Sequence, residues 1–513
     1  MKPLPILLLQ HKLKFNVLAN AAGYTWLALV QIALIPVYIF FMGIEAYGLL
    51  GFYVTLQAIL QVFDFGLTPT LNREVARLSS SSGEASGTGS FVRTVEYIYW
   101  PIGILLAVSI LVAAPYISSH WIHAETLSEA MVREAIWLMG GLMMIQWPLA
   151  LYLGGLMGTQ RHVLVNGLQI GFSIFTDGGA ILVLWLVSPT ITAFLKWQIL
   201  AGILRCLLAR QVLWNLLPVV EEAVRFNRAG LERIRHFAAG MSGIALTAII
   251  LTQFDRVVLS RLLSLEQFGY YMIAATAANG LLIIVNPVFS AVFPRFSALA
   301  AAGNADSVKA LYRLSTQLLA ILVLPLGVML CTFSRELLFV WTGNIELARN
   351  TAAVLCLLAI GRMLNGLMHI PYALQLAYGW TGLGFRLNVV LVILFVPGVL
   401  WMASQYGGAG AATMWAVINA IYVFIGVPLT HRRLLPGEAT RWFKEGFFLP
   451  LVITLAVIWT GRQVLPSFDE FSLAECAYAC LIGMAAIVCS CLGVPEARRW
   501  ASGEFAKIRQ AFV

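Results

Sequence analysis

Fourteen stretches of about 20 predominantly apolar residues run between residues 15 and 494 of the 513-residue chain, separated mostly by short connections. At 1.5 Å rise per residue, about 20 residues cover a hydrocarbon core of about 30 Å, so each stretch is long enough to cross a bilayer as a helix. Lipid offers the backbone no water, and a chain with this pattern satisfies its own N–H and C=O groups by becoming helical. Composition agrees, because 60% hydrophobic residues, 11% charged residues and a mean hydropathy of +0.85 leave too little polar surface for a water-soluble fold. The expectation is an all-α polytopic membrane protein of about 14 transmembrane helices.

An even number of spans puts both termini on one side. On that side, counting Arg386 just inside a helix end, fall 23 Lys and Arg residues, against four on the other: Arg133, Arg335, Arg349 and Arg462. Basic loops stay inside, so both termini are expected in the cytoplasm, and the net charge of +9 reads mainly as an orientation signal, with no nucleic-acid partner. The opening "MKPLPILLLQHKLK" has too short an apolar run for a signal peptide and reads as a retained cytoplasmic tail. External connections are short, the longest from Tyr116 to Glu134, leaving no outer domain to house chemistry. His120 and His123 in that loop have no ligand set around them, and the seven cysteines read as packing thiols without metal-site spacing.

The chain also repeats itself. "GIEAYGLLGFY" at 43–53 lies over "SLEQFGYYMIA" at 264–274 at an offset of 221, which pairs Glu45 with Glu266 and Gly48 with Gly269. The following helices overlay as far as "NREVARLS" and "FPRFSALA". This implies two six-helix lobes related by a parallel pseudo-two-fold repeat. The organisation expected is an N-terminal six-helix lobe at 1–216, a cytoplasmic linker at 217–237 and a C-terminal six-helix lobe at 238–430. Two extra transmembrane helices and a cytoplasmic tail follow at 431–513. Within the linker, "VVEEAVRFNRAGLERIRHF" reads as an amphipathic surface helix, and "SSSSGEASGTGS" at 79–90 reads as a separate flexible cytoplasmic connector.

Ionisable groups far from helix ends are costly in lipid and point to function. Arg362 lies near the middle of the tenth stretch, with Asn365, His369 and Tyr372 three, seven and ten residues later on one helical face. The eighth stretch carries a second stripe: Thr276, Asn279, Asn286 and Ser290. Either stripe alone also fits hydrogen bonding between packed helices. Asp177 and Arg205 are central in adjacent stretches, as a buried salt bridge or as transport residues. Lys196, Arg210 and Asp64 read as interfacial. Asp255 and Arg256 are neighbours in sequence but diverge by about 100° on a helix, so each must find water or another helix.

The run "FDRVVLSRLLSLEQFGYYMIAATAANGLLIIVNPVFSAVFPRFSALAAAGN" resembles the polysaccharide exporters and O-antigen flippases of the multidrug/oligosaccharidyl-lipid/polysaccharide exporter superfamily. The likeness rests on Asp255, on "FGYY" at 268–271 and on "FPRFSAL" at 293–299. It implies two six-helix lobes around a central cavity with two extra C-terminal helices. It also implies transport of isoprenoid diphosphate-linked oligosaccharides across a bacterial inner membrane. The partners so implied are that lipid-linked oligosaccharide, membrane lipids and other polysaccharide-assembly proteins.

For such a substrate, Arg362 with Arg256 or Arg205 is expected at the diphosphate, and Asn365, His369, Tyr372, Asn279 and Asn286 at the substrate's sugars. Asp255 and Asp177 are the candidates for coupling H⁺ or Na⁺ alongside the membrane potential. No catalytic residue, metal or cofactor is expected. Two rivals compete with this reading. A multidrug cation antiporter of the same superfamily usually has twelve spans and acidic sites. A membrane glycan polymerase or ligase usually has a sizeable external loop, which this chain lacks.

Overall fold

A computed structural model describes residues 6–80, 87–217, 246–464 and 473–503. Its elements are helices, as apolar spans without water require. Among the described residues eleven helices are long and apolar enough to cross a membrane, or twelve if the bent pair Ala477–Gly493 and Pro495–Ala501 is counted as one span.

The difference from fourteen has local causes. Thr381–Leu434 forms one continuous helical run over the stretches expected at 382–403 and 409–430, and Gly407, at φ 57° and ψ −136°, kinks it. Glycine adopts that backbone without the steric penalty of a Cβ. The stretch expected at 238–262 begins outside the described residues, and its helix is seen over 246–262. The amphipathic segment at 219–237 also lies outside the described residues, as does half of the serine-glycine connector, residues 81–86, while its ends at 79–80 and 87–90 are helical.

Contacts divide the chain into Met1–Gly269 and Tyr270–Val513. The expected linker, 217–237, is outside the described residues apart from Leu217. The division falls later because residues 260–269 pack on the first unit. There the Trp121 indole donates to Ser260 at 3.0 Å, and the Leu265 N–H donates to the His123 carbonyl at 2.7 Å.

The first unit contains α1 (Ile6–Met42), α2 (Ile44–Leu60), α3 (Leu67–Ser80), α4 (Gly87–Tyr116), α5 (Glu129–Gly158), α6 (His162–Leu186), α7 (Ile191–Leu216) and α8 (246–262). α9 (Leu265–Asn279) crosses the division. Ser128 caps α5 by accepting from the Met131 N–H, and Thr190 does the same for α7 with Ala193. α5 packs between α4 and α7.

Two buried carboxylates pin this unit. Glu45, at the start of α2, accepts from the backbone N–H groups of Glu125, Thr126 and Leu127 at 2.7–3.0 Å and from the Thr126 hydroxyl at 2.6 Å. Glu96 of α4 accepts from Arg93 at 2.9 Å, Tyr152 at 2.9 Å, Arg210 at 3.0 Å and Trp214 at 3.2 Å, tying α4, α5 and α7 together.

α2 and α9 approach closely through two glycines. A Cβ on Gly48 would lie 2.3 Å from the Leu265 carbonyl oxygen, and one on Gly269 would lie 2.8 Å from that of Ile44. The offset of 221 exchanges Ile44 with Leu265 and Gly48 with Gly269, so the contact is reciprocal. Absent side chains let the backbones meet, as is common where membrane helices cross.

In the second unit, α10 (Leu282–Ala301), α11 (Ala305–Thr332), α12 (Ser334–Thr342), α13 (Ile345–Ala377) and α14 (Thr381–Ile421) precede the run Ala439–Val464 and the helix Leu473–Gly493. α11 is the central helix, packed against α10, α13 and both C-terminal helices. At its N-terminal end Arg313 holds Glu438 with two hydrogen bonds, and the Gln317 amide accepts from the Glu496 N–H at 2.8 Å. Arg441 bridges Glu445 and Glu496 at 2.8 and 3.2 Å.

The cysteine expectation needs correction. Cys331 and Cys356 form a disulfide between α11 and α13, while Cys206 is a buried thiol. Apolar surroundings made all seven look alike in sequence, and nothing there showed which two helices would meet.

Candidate functional site

The C-terminal unit carries the polar face expected around Arg362. Asn344 caps α13 by accepting from the Leu347 N–H at 3.0 Å, and the helix continues through Pro371 to Ala377. Arg362, Asn365, His369 and Tyr372 are all half-buried along one face of it. The Arg362 guanidinium lies 4.8 Å from the centre of the Trp415 ring, a cation–π geometry that favours a charge drawn out of water. Asn365 donates to Asn419 at 2.9 Å, and Asn419 donates to the Trp415 carbonyl at 2.8 Å, so an amide pair holds α13 to α14 beside the guanidinium.

His369 Nδ1 bonds the Asn365 carbonyl at 3.0 Å. The His369 and Tyr372 rings contact Phe289 of α10 at centroid distances of 6.0 and 6.4 Å. The face thus offers one cation, an amide, an imidazole and a phenol against an aromatic wall. That combination suits an anion attached to hydroxyl-bearing groups.

The second stripe is less regular than its spacing suggests. A turn at Gly280–Leu281 separates α9 from α10, leaving Asn279 at the end of one helix and Asn286 exposed on the next. Asn279 Oδ1 is buried with no hydrogen-bond partner among the described residues. Glycine beside a polar residue relaxed the helix where sequence spacing assumed a continuous one.

In the first unit, Asp177 and Arg205 do not form an ion pair among the described residues. Asp177 accepts from Ser173 at 2.7 Å, and Arg205 lies 5.6 Å from the centre of the Phe172 ring. The salt-bridge alternative is therefore absent. The two remain within electrostatic range, with Tyr53 also near Arg205 and Tyr38 near Asp177.

Asp255 and Arg256 are both buried. Arg256 donates to Gln253 one turn back at 3.0 Å, and its Nε is unpartnered among the described residues.

Three residues read as interfacial have different fates. Lys196 forms an exposed pair with Glu134 at 2.8 Å, and Arg210 serves the Glu96 cluster. Asp64 instead lines a cavity of about 290 Å³ with Gln57, Gln61, Thr68, Tyr99, Gln146 and Trp147. α2 ends in a tight turn over Gln61–Asp64, which brings Asp64 to the start of α3. Asp64 Oδ1 accepts there from the Thr68 N–H at 3.2 Å and from its hydroxyl at 2.7 Å. Thr68 in turn meets the Tyr99 hydroxyl at 2.7 Å, and Gln57 donates to Gln146.

Sequence reasoning missed this cavity because its amides come from α2, the turn after it, and α5, with Gln57 and Gln146 at a separation of 89 residues. The i, i+4 pair Gln57 and Gln61 was the available signal. No cluster of three or more metal-ligating side chains exists among the described residues. His120, expected in an external loop, instead lies in a helical turn, Ile117–Trp121, that continues α4, and it stacks on Tyr116 with ring centres 5.1 Å apart.

The family model described as polysaccharide biosynthesis protein matches residues 13–300, more than half of the 513-residue chain. The chain belongs to this family. A Shigella flexneri protein provisionally named as an O-antigen transporter is 23% identical over 407 residues, 78% of this chain and 94% of that protein. Among solved structures, the lipid II flippase MurJ in an inward-closed conformation matches with a TM-score of 0.69 at 14% identity. The alignment covers 92% of this chain and 97% of that one. An inward-facing multidrug-resistance MATE transporter of the MOP superfamily matches with a TM-score of 0.62 at 14% identity, over 83% of this chain and 96% of that one. The fold of this polysaccharide biosynthesis family member is therefore the one shared by MurJ and the MATE transporters, that of a multi-pass membrane protein.

Proposed function

We propose that this protein is a flippase that carries an isoprenoid diphosphate-linked oligosaccharide from the cytoplasmic to the outer leaflet of a bacterial inner membrane by alternating access. Both termini then lie in the cytoplasm, as the distribution of Lys and Arg indicates. The observation that carries the reading is the α13 face, where Arg362 over Trp415 is followed by Asn365, His369 and Tyr372 inside a membrane span. A planar guanidinium suits phosphate oxygens, and the neutral donors beside it suit sugar hydroxyls. Family membership and the O-antigen transporter relative support the same substrate class.

Two negative charges moving outward across an inside-negative membrane gain roughly 4 to 5 kcal/mol at 100 mV, so the potential biases export. Asp177 and Asp255 are the carboxylates to which coupling of H⁺ or Na⁺ is assigned. Transport by the Asp→Asn variants with an unchanged dependence on pH and sodium would remove that role.

The test is a deletion strain. Lipid-linked glycan should accumulate in the inner leaflet and surface polysaccharide should be lost, and Arg362→Ala at normal protein level should fail to restore it. Full export by that variant would refute the phosphate contact. Altered drug resistance with normal surface glycan would favour the multidrug antiporter, and glycosidic-bond formation by the purified protein would favour a polymerase or ligase.

A further inference from the structure

The cavity at Asp64 has a composition the Arg362 face does not explain. It lies within the first unit, and no Lys or Arg lines it, so phosphate is a poor occupant. Its polar lining is three side-chain amides, one carboxylate, one threonine hydroxyl and one phenol, with the Trp147 indole beside them. Capping of α3 accounts for Asp64 and Thr68. It does not account for Gln57, Gln61 and Gln146, since amides in a membrane span are retained where something bonds to them. The Gln57–Gln146 hydrogen bond uses one donor and one acceptor, leaving further N–H and C=O capacity on both side chains.

The aromatic pair points to the same chemistry. Tyr99 and Trp147 stack at 5.7 Å between ring centres with an interplanar angle of 28°. Trp147 is 5% exposed, and its indole N–H has no partner among the described residues. A buried donor without a partner is costly, and an occupant whose hydroxyl reached it would remove that cost.

We infer that this cavity is a sugar subsite, which takes one neutral pyranose ring of the transported glycan. Amides and a carboxylate match adjacent hydroxyls, because each group can accept from one and, for the amides, donate to the next. Aromatic surfaces match the C–H face of the ring. A volume of about 290 Å³ falls just below the roughly 300–1,000 Å³ of small-molecule pockets, room for a ring and not for a whole oligosaccharide. The inference rests on the reading of the protein as a carrier of lipid-linked saccharide. An organic cation is the competing occupant, since a carboxylate near aromatic rings also suits positive charge. Three amides favour the sugar.

The test uses full-length protein in lipid nanodiscs and saturation-transfer NMR against glucose, galactose, mannose, rhamnose and N-acetylglucosamine. Tetraphenylphosphonium and pyrophosphate serve as comparison probes. At least one sugar should bind saturably. Its dissociation constant should rise about tenfold or more in Gln146→Ala and in Gln61→Ala, the latter at an exposed position where folding is not at stake. Pyrophosphate binding should not change in either. The inference is overturned if no sugar binds, if both variants bind sugar as the wild type does, or if tetraphenylphosphonium alone binds and loses its signal in Asp64→Asn.

A parallel deletion strain separates the two claims. Unchanged lipid-linked glycan in that strain defeats the flippase reading. Accumulation of glycan, together with sugar binding indifferent to the cavity variants, defeats only the subsite.

Discussion

Replacing Glu96 with Ala should destabilise the first unit more than any single surface change. Its carboxylate is 4% exposed and accepts four hydrogen bonds, two from guanidinium groups and one each from Tyr152 and Trp214. Breaking a fully buried pair by removing one partner costs about 3–5 kcal/mol. Arg93 and Arg210 are 35% and 39% exposed and recover part of that in water, but Tyr152 and Trp214 are left with unmet donors. A net loss of about 3 kcal/mol follows. At about 2.1 cal/mol/K per residue, a unit ending at Gly269 has an unfolding entropy near 0.6 kcal/mol/K, so its melting temperature should fall by about 5 °C.

Thermal unfolding in detergent measures this, and a double-mutant cycle makes it specific. Arg210→Ala should be costly alone and nearly free in the Glu96→Ala background, because its partner is already gone. A Glu96→Ala protein melting within 1 °C of wild type, or additive losses in the double variant, would refute the account of Glu96 as the pin between α4, α5 and α7.

Glu45→Ala should release the loop at 125–127: with three backbone donors and one hydroxyl unpaired, hydrogen exchange at those amides should quicken roughly a hundredfold. Unchanged protection would show that the loop is held by something else. Gly48→Ala places a Cβ 2.3 Å from a backbone oxygen that cannot rotate away, and should cost about 1–3 kcal/mol, more than Gly269→Ala at 2.8 Å. Equal melting temperatures would contradict that order. The hydrogen bonds and charge of Arg313 outweigh burial and hold Glu438 below the usual carboxylate range. Stability from that pair is therefore fully present above about pH 4.3, and is lost as pH falls through the lowered value. Glu438→Gln should melt lower than wild type at pH 7 and lose less on acidification; an identical acid response in both proteins would dissociate the pair from acid stability.

Apolar length made the spans readable, because lipid imposes one requirement on every residue of a crossing helix. The same argument located Arg362, whose charge is conspicuous against that background. It failed where the outcome depended on which helices meet. Cys331 and Cys356 are unremarkable until α11 and α13 bring them together. Asp177 and Arg205 sit on neighbouring helices yet find Ser173 and Phe172 within their own surroundings instead of each other. The stripe through Asn279 and Asn286 was drawn on an unbroken helix, and the turn at Gly280 shifts its phase.

The amides show a further reason for uneven legibility. A charge inside a span carries a cost of several kcal/mol and signals its own importance, whereas Gln is cheap enough to pass as packing. Gln57, Gln61 and Gln146 acquire meaning only when Asp64, Thr68, Tyr99 and Trp147 enclose space around them. On the function proposed above, a diphosphate headgroup would need the rare charged residue and a sugar only neutral hydrogen-bonding groups, so the two halves of such a substrate would leave unequal traces in sequence. In a carrier of such lipids, residues for the anion are to be sought by charge within spans. Residues for the glycan would be sought by the convergence of neutral polar side chains from different helices, as in the subsite proposed between α2 and α5.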